Sequence, residues 1–139
     1  MFVLDNSVTA RWLFLDGGKK DIEYADRVMA EIERSRAMVP VTWSLEVANV
    51  ISRGESAGIL HPGDSDKFIQ KLDRMNIAVD HATHEKAFVE TLKLSRKYRL
   101  TSYDASYLEL SLRHGVPIAT LDKALRRAAV RSGVEILLG

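Results

Sequence analysis

Short apolar runs alternate with amphipathic stretches along the whole chain. Phe2-Val3-Leu4 is too short for a helix and reads as a buried strand that stops at Asp5. Asn6 or Ser7 can cap the helix that follows, which carries Ala10, Leu13 and Phe14 and ends at Gly17-Gly18. From Lys20 to Arg36 the apolar positions Ile22, Ala25, Val28, Met29 and Ile32 fall at helical spacing. Ala37-Met38-Val39-Pro40 is a second strand, closed by its proline. Thr42 or Ser44 then caps a helix to about Ser56, stopped by Gly58. Pro62-Gly63-Asp64 opens another, with Phe68, Ile69 and Leu72 on one face.

Ile77-Ala78-Val79 gives a third strand, and Thr83 caps a helix reaching Tyr98. Thr101-Ser102 starts the next helix, which Gly115 ends. Val116-Pro117-Ile118-Ala119 is a fourth strand. Asp122 to Arg131 is helical, Gly133 stops it, and Val134 to Leu138 is expected as a fifth strand. Strands that alternate with helices in this way predict an α/β fold, one central parallel sheet of four to five strands flanked by helices on both faces. The 139 residues fit a single domain, 1–139, with no repeat, low-complexity segment or linker. In such sheets ligands bind beyond the carboxyl ends of the strands.

Composition adds exclusions. With no cysteine, thiol catalysis and thiolate metal sites are ruled out, and a reducing cytoplasm is the expected home. Asp5 and Arg11 interrupt the first apolar stretch, which argues against a secretory signal. No run of apolar residues is long enough for a bilayer, so no membrane partner is expected. The net charge of +1 says little by itself. Its distribution says more: nine Lys or Arg lie between Lys93 and Arg131 against three acids. That block is either a set of solvated helix faces or a basic rim for a phosphate backbone.

Four acids carry the candidate chemistry. Asp5 ends the first strand and Asp122 lies just past the fourth, so both belong to one sheet edge. Glu46 and Asp104 occupy first turns of helices that follow short loops, within reach of that edge. Each has a simpler explanation. Asp5 or Asn6 can cap a helix, Thr101-x-x-Asp104 is a capping-box pattern, and Asp122 suits a helix N-terminus. Glu46 fits the simple reading least well. Trp43, Leu45, Val47, Ala48, Val50 and Ile51 surround it, and a buried carboxylate needs a partner. Arg53, two turns on, is one such partner, and Asn49 shares the face.

Clustered carboxylates are hard oxygen ligands suited to Mg²⁺ or Mn²⁺, in sites usually completed by substrate phosphate. Competing chemistries fit poorly. His61, His81, His84 and His114 are scattered without ligand spacing. No phosphate-binding glycine loop is present. Ser7 and Thr120 have no histidine partner for a triad, but suit hydrogen bonds to a ligating carboxylate or its water.

Four segments together resemble the PIN-domain ribonucleases of the VapC toxin type: Val3-Leu4-Asp5-Asn6-Ser7, Leu45-Glu46-Val47-Ala48-Asn49, Leu100-Thr101-Ser102-Tyr103-Asp104-Ala105-Ser106-Tyr107-Leu108, and Ile118-Ala119-Thr120-Leu121-Asp122. They occur in the family's order across nearly the whole chain. The resemblance implies a PIN-like three-layer domain. It implies a hydrolase, a Mg²⁺- or Mn²⁺-dependent endoribonuclease that cleaves RNA, such as tRNA or rRNA, with metal-activated water. Asp5, Glu46, Asp104 and Asp122 match the catalytic and metal-binding acids, and Ser7, Asn49 and Thr120 the supporting polar positions. A homodimer and a VapB-type antitoxin lying across the active-site groove are also implied, as for the toxin component of a type II toxin–antitoxin system. Three alternatives stand beside this reading. One is a PIN-domain RNA-processing nuclease without antitoxin. Another is a receiver-like signalling domain with Asp80 as phospho-acceptor, helped by Thr120 and Lys123. The third is a silent binding protein whose acids are all caps.

Overall fold

The computed structural model describes residues 1–139. Strand β1 (Phe2–Leu4) is wholly buried and leads directly into α1 (Asn6–Leu13). Helix α2 (Lys19–Arg34) follows, burying Ala25, Val28 and Ile32, the stripe expected from its spacing. Strand β2 (Ala37–Pro40), also fully buried, runs into α3 (Trp43–Ser56). Gly58, at φ +75°, supplies the left-handed turn after that helix. Helix α4 (Pro62–Arg74) begins on its proline, where the missing N–H is no loss. After it comes β3 (Ile77–Asp80).

The stretch expected as one helix from Thr83 to Tyr98 is not regular. It comprises α5 (Thr83–Lys86), a π-helical turn (Ala87–Thr91) and α6 (Leu92–Tyr98). The residue at its N-cap is Ala82, whereas Thr83 is already helical. Helix α7 (Ser102–His114) is the spine of the molecule. Every residue from Ala105 to Ser111 is buried, and Tyr107, Leu108 and Leu110 are fully enclosed. It packs on β1, β2 and β4 (Ile118–Ala119). Each enclosed leucine contributes about 1.5–3 kcal/mol relative to exposure. Helix α8 (Lys123–Arg131) closes the order and packs on α7.

The sheet is four-stranded and parallel, in the order β3-β2-β1-β4. Helices α1, α2 and α3 pack together, as do α5, the π turn, α6 and α7, so helices flank the sheet. The chain winds outward from β1 through β2 to β3, then returns to place β4 on the other side of β1. That reversal makes the gap between β1 and β4 the topological switch point, where the first connections leave in opposite directions. Asp5 and Thr120 lie at its carboxyl end.

Two strand expectations need correction. The fourth strand pairs only over Ile118–Ala119, with Val116 and Pro117 outside it; proline has no N–H to give to a ladder. Val134 to Leu138 is not a fifth strand. It forms one parallel bridge, Ile118 to Ile136, then turns away: Leu138 has φ +55° and the Gly139 N–H donates back to the Ile136 carbonyl at 3.1 Å.

An ion-paired group ties β3 to α7. The Arg113 guanidinium donates to both carboxylate oxygens of Asp80, at 3.0 and 2.7 Å, and to both of Glu109, at 2.7 and 3.1 Å. Glu109 is only 3% exposed, so this arginine neutralises an acid that water cannot reach. Asp80 is held below the usual carboxylate range, first by its hydrogen bonds from Arg113. Engaged in this way, Asp80 is poorly suited to act as a phospho-acceptor.

Candidate active site

Asp5 occupies the N-cap position of α1 with extended backbone, yet its side chain caps nothing. Its backbone N–H donates to the Ala119 carbonyl at 3.0 Å, fixing the residue to β4. The carboxylate turns to two hydroxyls: Ser7 Oγ donates at 2.6 Å and Thr120 Oγ1 at 2.7 Å, both to Oδ2. Each hydroxyl also accepts a backbone N–H, Ser7 from Leu121 at 2.9 Å and Thr120 from Asp122 at 3.0 Å. With donor and acceptor both engaged, the two hydroxyls are fixed in orientation, and they clamp residues 120–122 to Asp5. No hydrogen bond reaches the second oxygen, Oδ1.

Burial dominates the electrostatics. Asp5 is 3% exposed, and desolvation pushes its pKa up to about 7. The two hydroxyls pull it back, while the negative charges of Asp104 and Glu46 push it further up. Glu46, in the first turn of α3, is half-buried. The Tyr107 hydroxyl donates to its Oε1 at 2.8 Å. Burial raises Glu46, the tyrosine bond lowers it, and Asp104 raises it. Arg53 forms no ion pair with it. Asp104 is raised first by burial and then by Asp122. Its backbone N–H donates to Thr101 Oγ1 at 3.1 Å, which is one half of the expected capping box. Asp122 is a true N-cap: its Oδ1 accepts the Leu125 N–H at 2.8 Å.

The four acids therefore form one electrostatic neighbourhood, assembled from the ends of β1 and β4 and the starts of α3, α7 and α8. None is ion-paired to a base. As they stand, no three are close enough to enclose a metal ion together. The donor set nevertheless suits a hard divalent cation. It is all carboxylate oxygen, Asp5 keeps an oxygen without a hydrogen bond, and the charges destabilise one another. Of the supporting polar positions, Ser7 and Thr120 hold Asp5, whereas Asn49 is exposed and makes no side-chain hydrogen bond.

Tyr107 is the site residue that sequence reasoning named only within a matching segment, with no role of its own. It is fully buried, and its hydroxyl joins α7 to α3 through Glu46. Burial and the charges of Asp5 and Glu46 push its ionisation far above the usual tyrosine range, so it stays a proton donor. The signal available was its position one turn after Asp104 on the same face. Of the nine basic residues near the C-terminus, Arg113 is consumed by Asp80 and Glu109; the other eight form no ion pair.

Comparison with known proteins bears on the fold and the family. The structure is similar to the crystal structure of PAE2754 from Pyrobaculum aerophilum, with a TM-score of 0.66 at 16% identity, over 91% of this chain and 83% of that one. It is also similar to the crystal structure of FitAcB from Neisseria gonorrhoeae, with a TM-score of 0.60 at 15% identity, over 98% and 96%. At such identities the likeness is one of fold. A search of curated proteins found no match. The sequence profile of the PIN domain matches residues 2–131, which takes in every strand and all four acids. The chain thus belongs to the PIN domain family, whose members are generally nucleases.

Proposed function

We propose that this chain is a Mg²⁺- or Mn²⁺-dependent endoribonuclease. The observation that carries the reading is Asp5: a buried carboxylate at the switch point, oriented by two hydroxyls and unpaired with any base, beside three further acids. A structural acid buried to this degree would be expected to find a cation or a cap, as Glu109 finds Arg113. Asp5, Glu46 and Asp104 would hold the metal, and Asp122 would stay nearby while capping α8. The cation supplies neutralising charge to the acids and polarises the phosphate oxygens of the substrate.

The chain's own residues do the positioning. Ser7 and Thr120 fix Oδ2 of Asp5, which leaves Oδ1 without a hydrogen bond and free to accept a ligand. Tyr107 anchors Glu46 against α7 and so fixes the position of its carboxylate. In the absence of a cation, Asp5 holds its proton to about neutral pH. The test is cleavage of total RNA with Mg²⁺, with EDTA, and by Asp5→Asn. Cleavage is expected only for the unaltered protein with metal, and equal cleavage in all three refutes the proposal.

Within this reading we favour a toxin of the VapC type, a cytoplasmic homodimer partnered by a VapB-type antitoxin, on the resemblance of the four segments to that type; the acids alone serve a toxin and an RNA-processing nuclease equally. A small reading frame directly upstream, able to suppress growth arrest on co-expression, is the expected finding. Its absence would favour an RNA-processing nuclease. No helix is long and apolar enough to cross a membrane.

A further inference from the structure

The helical segment that leads into the acidic site carries an unusual surface. The wide π turn at Ala87–Thr91 presents Phe88 and Val89 to solvent, 88% and 59% exposed. They share a shallow hollow of about 470 Å³ with Lys93, Arg96 and Lys97. Between Lys86 and Tyr103 there are five Lys or Arg and a single acid, Glu90. Lys93, Arg96, Lys97 and Arg99 are exposed and in no ion pair. Arg99 ends α6 in the left-handed region, at φ +54°, a conformation unfavourable for a residue with a Cβ. Four residues later Tyr103, 60% exposed, stands in the first turn of α7 beside Asp104.

We propose that this strip, from Phe88 along α6 to Tyr103, is a docking track for single-stranded RNA that leads the backbone to the acidic site; it rests on the ribonuclease reading. Exposed aromatic faces stack unpaired bases, and cations between them hold the phosphates. The stretch from Phe88 in the π turn to Arg99 at the end of α6 spans roughly 16 Å at helical rise, room for several nucleotides. A protein contact is a worse match, because lysine is depleted in such interfaces, whereas here cations surround two apolar side chains. The strip approaches the site because α6 packs on α7, whose first turn holds both Tyr103 and Asp104.

The experiment measures binding of a fluorescein-labelled 12-nucleotide single-stranded RNA of mixed sequence, by anisotropy in EDTA, across a salt series. Phe88→Ala is expected to weaken binding on the order of tenfold with little change in salt dependence. Phe88→Trp should retain affinity. The triple variant Lys93→Ala, Arg96→Ala, Lys97→Ala should lower the slope of log affinity against log salt by about 2. A matched control on α4, Lys67→Ala, Lys71→Ala, Arg74→Ala, should bind like the unaltered protein. Unchanged binding by the α6 variants, or equal weakening by the α4 control, overturns the track. So does a smaller sedimentation coefficient for Phe88→Ala with unchanged RNA binding, which assigns the face to a contact between copies. Separate cleavage of RNA with Mg²⁺ distinguishes the two readings. Binding that follows the α6 variants without any cleavage removes the nuclease reading and keeps the track. Cleavage with normal binding by the variants removes the track alone.

Discussion

Asp5 shows how one side chain sets function against stability. In the folded chain burial holds its proton to about 7, whereas unfolded it ionises near its ordinary 3.8. Between those values the native state binds more protons, so this contribution to stability is fully present below the lower value and lost as pH rises toward the higher. Asp5→Asn removes the titration while still accepting the two hydroxyl bonds. It is expected to abolish cleavage yet to raise stability in EDTA at pH 8, by on the order of 1–3 kcal/mol, with little gain at pH 4. Urea melts at both values check this; destabilisation at pH 8 would contradict it. Tyr107→Phe deletes the hydrogen bond to Glu46. The expected loss is about 1.5–3 kcal/mol, typical of a bond to a charged group. Without that bond Glu46 titrates higher, so the acidic limb of the cleavage profile moves to higher pH. Sequence reasoning reached Glu46 because a carboxylate in so apolar a helix needs a reason. It missed the Tyr107 bond because the two residues are 61 positions apart and only the fold joins them.

At the scale of elements, the apolar runs of β1 and β2 and the stripe of α2 were readable because burial leaves a periodic trace; on α4 Phe68 is buried as expected, but Ile69 is exposed. The π turn left none, because composition does not record one added residue per turn, and Phe88 within it is exposed. The would-be fifth strand had the right residues but lies where only one bridge to Ile118 forms before the backbone turns. The Asp80–Arg113–Glu109 group was equally invisible, since Asp80 lies 33 positions from its partner. Its energetics are testable. Arg113→Met strands a buried Glu109 and should destabilise by about 3–5 kcal/mol. Adding Glu109→Leu and Asp80→Asn should recover most of that loss in chemical denaturation. If the single variant costs under about 1 kcal/mol, α7 and β3 are not joined by this pair in solution.

Across the whole molecule, four acids from five elements converge without a compensating base, so ligand binding and global stability are linked. Mn²⁺ at about a hundred times its dissociation constant should add ~2.7 kcal/mol. Because Asp5 must lose a proton to bind, the midpoint shift should be larger at pH 8 than at pH 6, and absent in Asp5→Asn. Thermal melts with and without metal at the two pH values decide the point, and a pH-independent shift would place the ion elsewhere. The parallel topology carries one more consequence, in the order of synthesis. Asp5 is made 115 positions before Thr120, which arrives together with the strand that closes the other side of β1. A nascent or prematurely ended chain that stops before β4 thus has an unoriented Asp5 and no Asp122. Translation itself delays the assembly of a competent centre until that strand has been made.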